Sequence, residues 1–199
     1  MVQHVLYISP VTIRDDVVQA TLRVIAADGF RAVTVRRVAA EVGRSTTAVT
    51  HYFTDRDALL REAVAGALAE RRESADAAVR AADDPAWAFL EWSIDADPVG
   101  VWPAVVAASA AGIEPEIVDE ARRFDQWWIE RLGRLLEGRC AEGVDPGSAA
   151  EAIGVAVDGL VLGLGIHDAP TAERRRLLHL LVDPLVPPRR TTASHARNR

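Results

Sequence analysis

The chain has 199 residues, 49% hydrophobic and 26% charged, with a net charge of −6, a balance typical of a globular protein with one large or two small domains. Its single cysteine, Cys140, excludes an intramolecular disulfide and a cysteine-only metal site, so we expect neither cofactor nor metal. No apolar run approaches the roughly 20 residues that span a bilayer, and the N-terminal stretch lacks the pattern of a signal peptide, so we expect a cytoplasmic protein with no membrane partner.

Apolar residues recur at three- and four-residue intervals along the chain, and this spacing predicts an all-α fold of nine helices. The first helix is predicted to run from about Ile13 to Asp28, with Thr12 as its N-cap. Gly29 is predicted to end this helix in a left-handed conformation, with Phe30 packed into the core behind it. The inner face of the helix is predicted to contain Ile13, Val17, Ala20, Val24 and Ala27.

Two short helices are predicted after the first. The earlier one spans residues 35–42, is capped by Thr34, and ends at Gly43, because glycine adopts positive φ without a steric penalty. The later one starts after the cap Ser45 and runs to about Phe53.

A long fourth helix is predicted from about Arg56 to Ala82, capped by Thr54 or Asp55. Proline and glycine residues punctuate the remaining sequence into five further helices. These are predicted at about 86–95, 99–111, 115–138, 147–166 and 171–183.

The segment from Thr34 to Phe53 indicates a function, because two short helices that meet at a glycine turn behind a bracing helix are typical of a helix-turn-helix. In that motif the second short helix enters the major groove of DNA. Three of the five residues 46–50 are threonine, a poor choice for an ordinary exposed helix because it is β-branched. Their hydroxyls favour a base-reading helix over a plain surface helix.

The charge distribution permits DNA binding without demonstrating it. Residues 1–60 carry seven arginines and six acidic residues, whereas residues 61–199 carry sixteen arginines and twenty-three acidic residues. The acidic excess therefore lies outside the N-terminal part, whose own basic patch is weak.

Several short motifs occur in a fixed order in the N-terminal part. They are Asp28-Gly29-Phe30, Thr34-Val35-Arg36-Arg37-Val38-Ala39, Gly43, Val49-Thr50-His51-Tyr52-Phe53 and Asp55-Arg56-Asp57-Ala58-Leu59-Leu60. With this pattern, residues 13–64 resemble the N-terminal domain of TetR-family repressors. The segments 114–117, 127–136 and 149–160 resemble, less specifically, the C-terminal halves of family members.

The resemblance implies an all-α protein in which a long fourth helix joins an N-terminal three-helix helix-turn-helix domain to a C-terminal helical domain. We assign residues 1–60 to the DNA-binding domain and residues 61–186 to a ligand-binding and dimerisation domain. The polar, basic residues 187–199 are predicted to be a disordered tail.

Residue chemistry and the resemblance together give a set of candidate DNA contacts. The set is Thr34, Val35, Arg36, Arg44, Ser45, Thr46, Thr47, Thr50, His51, Tyr52 and Arg56. Three positions depart from the family pattern: Arg44 replaces a frequent Val, Thr47 a Gly or Pro, and Thr50 a phosphate-contacting Tyr. Arg56 keeps the charge of the basic residue, usually Lys, that opens the fourth helix in the family.

All five tryptophans lie between residues 87 and 128. An aromatic wall is typical of a small-molecule pocket, although a packed core is the favoured interpretation for any single Trp. The candidate ligand-binding residues are Trp87, Trp92, Trp102, Phe124, Trp127 and Trp128.

The last two predicted helices carry apolar stripes that favour a homodimer interface over an intramolecular core, and the resemblance implies that they pair with their copies in a second subunit. The stripes contain Ile153, Val157, Leu160, Val161 and Leu164, then Leu177, Leu178, Leu181 and Val182.

No arrangement of residues favours catalysis, because the five histidines are scattered and have no metal-ligand spacing. We therefore expect a nonenzymatic regulator, homodimeric on double-stranded DNA and responsive to an unknown small molecule. Repression is expected, with activation left open. The alternative is a nonenzymatic small-molecule-binding helical protein without operator binding.

Overall fold

A computed structural model describes residues 12–95, 101–110, 114–167 and 170–187 of the chain. In these ranges it contains helices and no strand, which confirms the all-α prediction. The α-helices are α1 Ile13–Asp28, α2 Val35–Val42, α3 Thr46–Thr50, α4 Arg56–Arg80, α5 Pro85–Asp95, α6 Val101–Ala110, α7 Pro115–Leu136, α8 Pro146–His167 and α9 Thr171–Val182. A 3₁₀ helix covers Phe30–Ala32. None of the described helices is both long and apolar enough to cross a membrane.

The chain divides into two compact units. The first unit combines Met1–Asp76 with Ala96–Phe124, and the second combines Ala77–Asp95 with Asp125–Arg199. Helices α4 and α7 are each divided between the two units, α4 after Asp76 and α7 after Phe124. The predicted functional division between residues 1–60 and 61–186 stays a prediction. The predicted disordered tail, apart from Pro187, lies outside the described residues.

Helix α1 starts with a reciprocal cap, as its sequence predicts. The Thr12 hydroxyl accepts a hydrogen bond from the Asp15 amide, and the Asp15 carboxylate accepts one from the Thr12 amide. Five of the apolar side chains of α1 are buried: Val17, Ala20, Leu22, Val24 and Ile25. Two expectations need correction. Ala27 is exposed, because it lies at the edge of the buried stripe in the last turn.

The second correction concerns Gly29, which has φ 77° and ψ 173°. The positive φ explains the glycine, but the extended ψ shows that the residue is not in the left-handed helical conformation. The chain instead turns directly into the 3₁₀ helix, where Phe30 is buried as predicted.

Helices α2 and α3 begin and turn where the sequence predicts. Thr34 caps α2 by accepting from the Arg37 amide at 3.0 Å, and Gly43 adopts the left-handed conformation with φ 68° and ψ 36°. Helix α3 ends at Thr50 instead of reaching Phe53. The Tyr52 amide bonds back to the Val49 carbonyl three residues earlier, so the last turn tightens and departs from the α-helical pattern.

The second unit has its own apolar core. It joins α5 to the second half of α7 and to α8 and α9. The buried apolar side chains there include Phe89, Leu90, Trp92, Trp128, Leu132, Leu136, Ile153, Leu160, Leu178 and Val182. Gly154 on α8 permits close packing, because a Cβ at this position would lie 3.3 Å from the Trp128 ring.

Candidate functional site

The candidate reading surface is the exposed side of α3 together with the start of α2. Val49, on the inner side of α3, is fully buried, and Phe53, just after the helix, is buried as well. The residues between and before them face outward because the buried pair occupies the inner side. The exposed members of the predicted set are Thr34, Arg36, Arg44, Ser45, Thr46, Thr47, Thr50, His51 and Tyr52, whereas Val35 and Arg56 are partly buried.

Two hydroxyls of this surface are engaged in capping the helices. Ser45 accepts a hydrogen bond from the Ala48 amide at 3.2 Å, and Thr34 caps α2. The Thr50 hydroxyl donates to the Thr47 carbonyl at 3.2 Å. This back-bond stays within α3 and leaves the lone pairs of the Thr50 oxygen available as acceptors.

The arginines near this surface differ in their partners. Arg37 pairs with Asp28 at 3.1 Å, which braces α2 against the end of α1. Arg36 and Arg44 are exposed, and neither forms an ion pair within the described ranges. Their guanidinium groups therefore have the exposure and the free donors that a phosphate contact requires.

Arg56 opens α4 as predicted, but it makes contacts that its sequence context does not predict. Its Nε donates to the Val33 carbonyl at 3.0 Å, and its Nη2 donates to the Phe30 carbonyl at 2.9 Å. The same guanidinium forms a bidentate pair with the Glu114 carboxylate at 2.7 and 2.9 Å. The geometry therefore gives Arg56, one of the candidate DNA contacts, a set of protein partners.

Glu114 is the residue of this site that sequence reasoning missed as a functional candidate. It stands 58 positions from Arg56 and immediately precedes α7. No local pattern could have paired the two, although an acidic residue before Pro115 was visible in the sequence.

The predicted ligand-binding aromatic residues belong to both units. In the first unit, the rings of Trp102 and Phe124 lie 4.8 Å apart. The guanidinium carbons of Arg71 and Arg72 lie 5.9 and 5.7 Å from the Phe124 centroid. These two arginines were not predicted to lie beside Phe124, because more than fifty positions separate them from it in the sequence.

In the second unit, the aromatic rings surround Phe89. The rings of Trp92, Trp127 and Trp128 lie 5.6, 6.0 and 5.4 Å from it. The Trp128 indole also donates to the buried Ser93 hydroxyl at 2.9 Å. Trp87 stacks on His179, with the ring centroids 4.1 Å apart.

The apolar faces of α8 and α9 also differ from the predicted ones. Ile153, Val157 and Leu160 are buried within the chain, as are Leu178 and Val182. Among the side chains described on these helices, the exposed large apolar ones are Val155, Leu180 and Leu181, at 77%, 60% and 47% exposure. Most of the predicted stripe is therefore intramolecular core. The side chain of Leu164 lies outside the described residues.

The described residues give no metal site, because they contain no group of three or more His, Cys, Asp or Glu side chains that could hold an ion. Burial raises the pKa of the Cys140 thiol, and the negative charge of Asp145 raises it further, so the thiol stays protonated.

Comparisons with known proteins agree with this geometry. Residues 17–63 match the model of bacterial regulatory proteins of the tetR family. The chain is 33% identical, over 79% of its length and 80% of the relative's, to the HTH-type transcriptional regulator BetI of Rhizobium meliloti (strain 1021).

Solved structures share the fold. A transcriptional regulator from Rhodococcus sp. Rha1 has a TM-score of 0.74 at 22% identity and covers 86% of this chain and 94% of its own. SmeT in complex with triclosan has a TM-score of 0.71 at 17% identity, covering 87% and 91%. The chain belongs to the TetR family of bacterial regulatory proteins and is a DNA-binding transcriptional regulator.

Proposed function

We propose that this protein binds a palindromic operator as a homodimer, represses transcription, and leaves the operator when a small molecule binds. The observation that supports the proposal most strongly is the contrast across α3. Val49 on its inner side is fully buried, while Thr46, Thr47 and Thr50 on its outer side are exposed. The buried side attaches the helix to the domain, and the exposed side presents hydrogen-bond donors and acceptors that can reach base edges in the major groove.

The proposed contacts divide by chemistry. The threonines of α3 and His51 are assigned to base edges, and Tyr52 to the edge of the groove. Arg36 and Arg44 are assigned to phosphates, where a guanidinium forms bidentate hydrogen bonds. Phosphate contacts supply affinity without sequence information, whereas the base contacts supply specificity.

The proposed dimer uses the outer faces of α8 and α9. Val155, Leu180 and Leu181 are exposed there, and Ala152 and Gly159 continue the face of α8. A Cβ at Gly159 would meet no described atom within 4 Å, so a partner helix has room to approach the backbone closely. A two-fold dimer matches a palindromic site, with recognition helices about 34–36 Å apart for successive major grooves.

The proposed effector is a small, partly apolar molecule that contacts two or three of the predicted aromatic residues. SmeT, a protein with the same fold, is seen in complex with triclosan. The effector would act by favouring a conformation whose recognition helices no longer match the operator, since a ligand shifts an equilibrium by its differential affinity for two states. Operator binding also implies a cytoplasmic location.

A titration tests operator binding. The duplex is the intergenic DNA beside the protein's own gene, and anisotropy is measured at 150 mM salt, because affinities for DNA are meaningless without the salt concentration. We expect binding at least roughly a thousandfold tighter than to a scrambled duplex. Equal, weak binding to both duplexes would instead favour a small-molecule-binding protein without operator binding.

A further inference from the structure

We propose that Glu114 is a positioning residue that acts through Arg56 to hold the helix-turn-helix in its DNA-reading arrangement within the first unit. The inference rests on the proposed DNA binding. It assigns Arg56 a role other than a direct phosphate contact.

The contacts of Arg56 join three parts of the first unit. Arg56 is the first residue of α4, and its guanidinium donates to two carbonyls, that of Phe30 in the 3₁₀ helix and that of Val33 just after it. Val33 directly precedes Thr34, the cap of α2. Glu114 then bonds both terminal nitrogens of the guanidinium. The planar fork of arginine is required here, because the point charge of lysine could not serve carbonyls and carboxylate together.

Burial makes this pair consequential. The Glu114 side chain is 8% exposed and that of Arg56 is 31% exposed. A carboxylate removed from water in this way is costly without its cationic partner. The carboxylate therefore holds the guanidinium in place, and the guanidinium holds the two carbonyls that lead into α2.

The backbone at Glu114 is a second, independent observation. Glu114 has φ 56° and is the one non-glycine residue with positive φ in the described part of the chain. The conformation is unfavourable for a residue with a Cβ, and it persists only where surrounding contacts impose it. Glycine would adopt it without strain, so the presence of glutamate indicates that the carboxylate is what this position needs.

A direct phosphate contact by Arg56 is the competing role, and the two roles predict opposite effects of Glu114. If Arg56 bound a phosphate, neutralising Glu114 would free the guanidinium and tighten DNA binding. If Glu114 positions Arg56, neutralising it weakens DNA binding. Lysine would also replace arginine at a phosphate contact but not at the positioning site.

The experiment measures affinity for the intergenic duplex at several salt concentrations with the full chain. The variants are Glu114→Gln, Arg56→Gln and Arg56→Lys. The matched control is Asp119→Asn, which removes one carboxylate from α7, the helix that Glu114 precedes, at an exposed i,i+3 pair with Arg122. We expect each of the three variants to bind roughly five- to twentyfold more weakly, with the salt slope unchanged and the control unchanged.

Three results would overturn the proposal. The first is Glu114→Gln binding as tightly as the wild type or more tightly. The second is Arg56→Lys binding like the wild type. The third is a salt slope that falls by about one per protomer in Arg56→Gln, which is the signature of a lost phosphate contact.

Amide hydrogen exchange tests the same proposal without DNA, and so separates its failure from failure of operator binding. In Glu114→Gln we expect exchange to accelerate roughly tenfold from Phe30 to Val42, while the core amides of α1 and of the second unit keep their rates. Unchanged exchange from Phe30 to Val42, or uniform acceleration through the whole first unit, would contradict a positioning role.

Discussion

Asp84 and Arg139 form a bidentate ion pair within the second unit, although 55 positions separate them. Asp84 lies in the turn before α5 and also accepts from the Trp87 amide at 3.3 Å. Arg139 follows the end of α7, and its side chain is only 10% exposed. The Asp84 carboxylate therefore caps the N-terminus of α5 and also neutralises the nearly buried Arg139 guanidinium.

Replacing Asp84 should destabilise the protein strongly for this reason. We expect Asp84→Ala to lower the free energy of unfolding by about 3 kcal/mol, because it strands the buried guanidinium and removes a helix cap. Urea denaturation measures the change. Glu130→Ala is the control, since Glu130 and Arg134 form an exposed pair on α7 and exposed pairs contribute about 0–1 kcal/mol. Equal effects of the two variants would contradict the assignment.

Gly154 and Gly66 should respond in opposite directions to the same substitution. A Cβ at Gly154 would lie 3.3 Å from Trp128, whereas one at Gly66 would meet no described atom within 4 Å. We expect Gly154→Ala to destabilise by about 1–3 kcal/mol through overpacking and Gly66→Ala to stabilise by about 0.5–1 kcal/mol through helix propensity. Thermal unfolding of both variants gives the comparison, and a stabilised Gly154→Ala would contradict the packing described for α7 and α8.

The proposed dimer face predicts a change of assembly. Val155→Glu places a charge on α8 at a large apolar side chain that is 77% exposed, so it should shift the dimer toward a folded monomer. Sedimentation equilibrium measures the shift, and circular dichroism confirms folding. Ala26→Glu, at an exposed position of α1, is the control and should remain dimeric. A Val155→Glu dimer as stable as the wild type would exclude this face.

Asp55 should give the reading domain a specific response to acid. The Ala58 amide donates to the Asp55 carboxylate at 2.7 Å and is the main reason why the pKa of Asp55 lies below its usual value of 3.8. A lowered pKa stabilises the fold above the unfolded-state value, and the stabilisation is lost as pH falls through the lower, folded-state value. The stability lost on acidification below about pH 4 should therefore be greater in the wild type than in Asp55→Asn. Urea midpoints across this range measure the difference, and parallel curves would refute it.

Local chemistry accounts for what the sequence predicts well. The caps Thr12, Thr34 and Ser45 act on amides within three residues, and Gly43 is recognisable because its turn needs a left-handed residue. The helix-turn-helix could therefore be predicted almost residue by residue.

Contacts between distant residues account for what could not be predicted. No local pattern pairs Arg56 with Glu114, and sequence chemistry alone made Arg56 a DNA contact. On α8, periodicity identified an apolar stripe, but the stripe containing Ile153 and Val157 is buried within the chain, while Val155 is exposed. Periodicity locates an apolar face, and only the packed structure shows which partner covers it.

The central claim is that the α3 surface reads an inverted-repeat operator, and selection of bound duplexes from a random-sequence library at 150 mM salt tests it most directly. We expect the enriched sequences to contain two half-sites in inverted orientation, with centres one helical turn or a multiple of it apart. Enrichment should disappear when Thr46, Thr47 and Thr50 are all replaced by Ala. A wild-type protein that enriches no sequence, or a triple variant that enriches the same inverted repeat, would contradict the account.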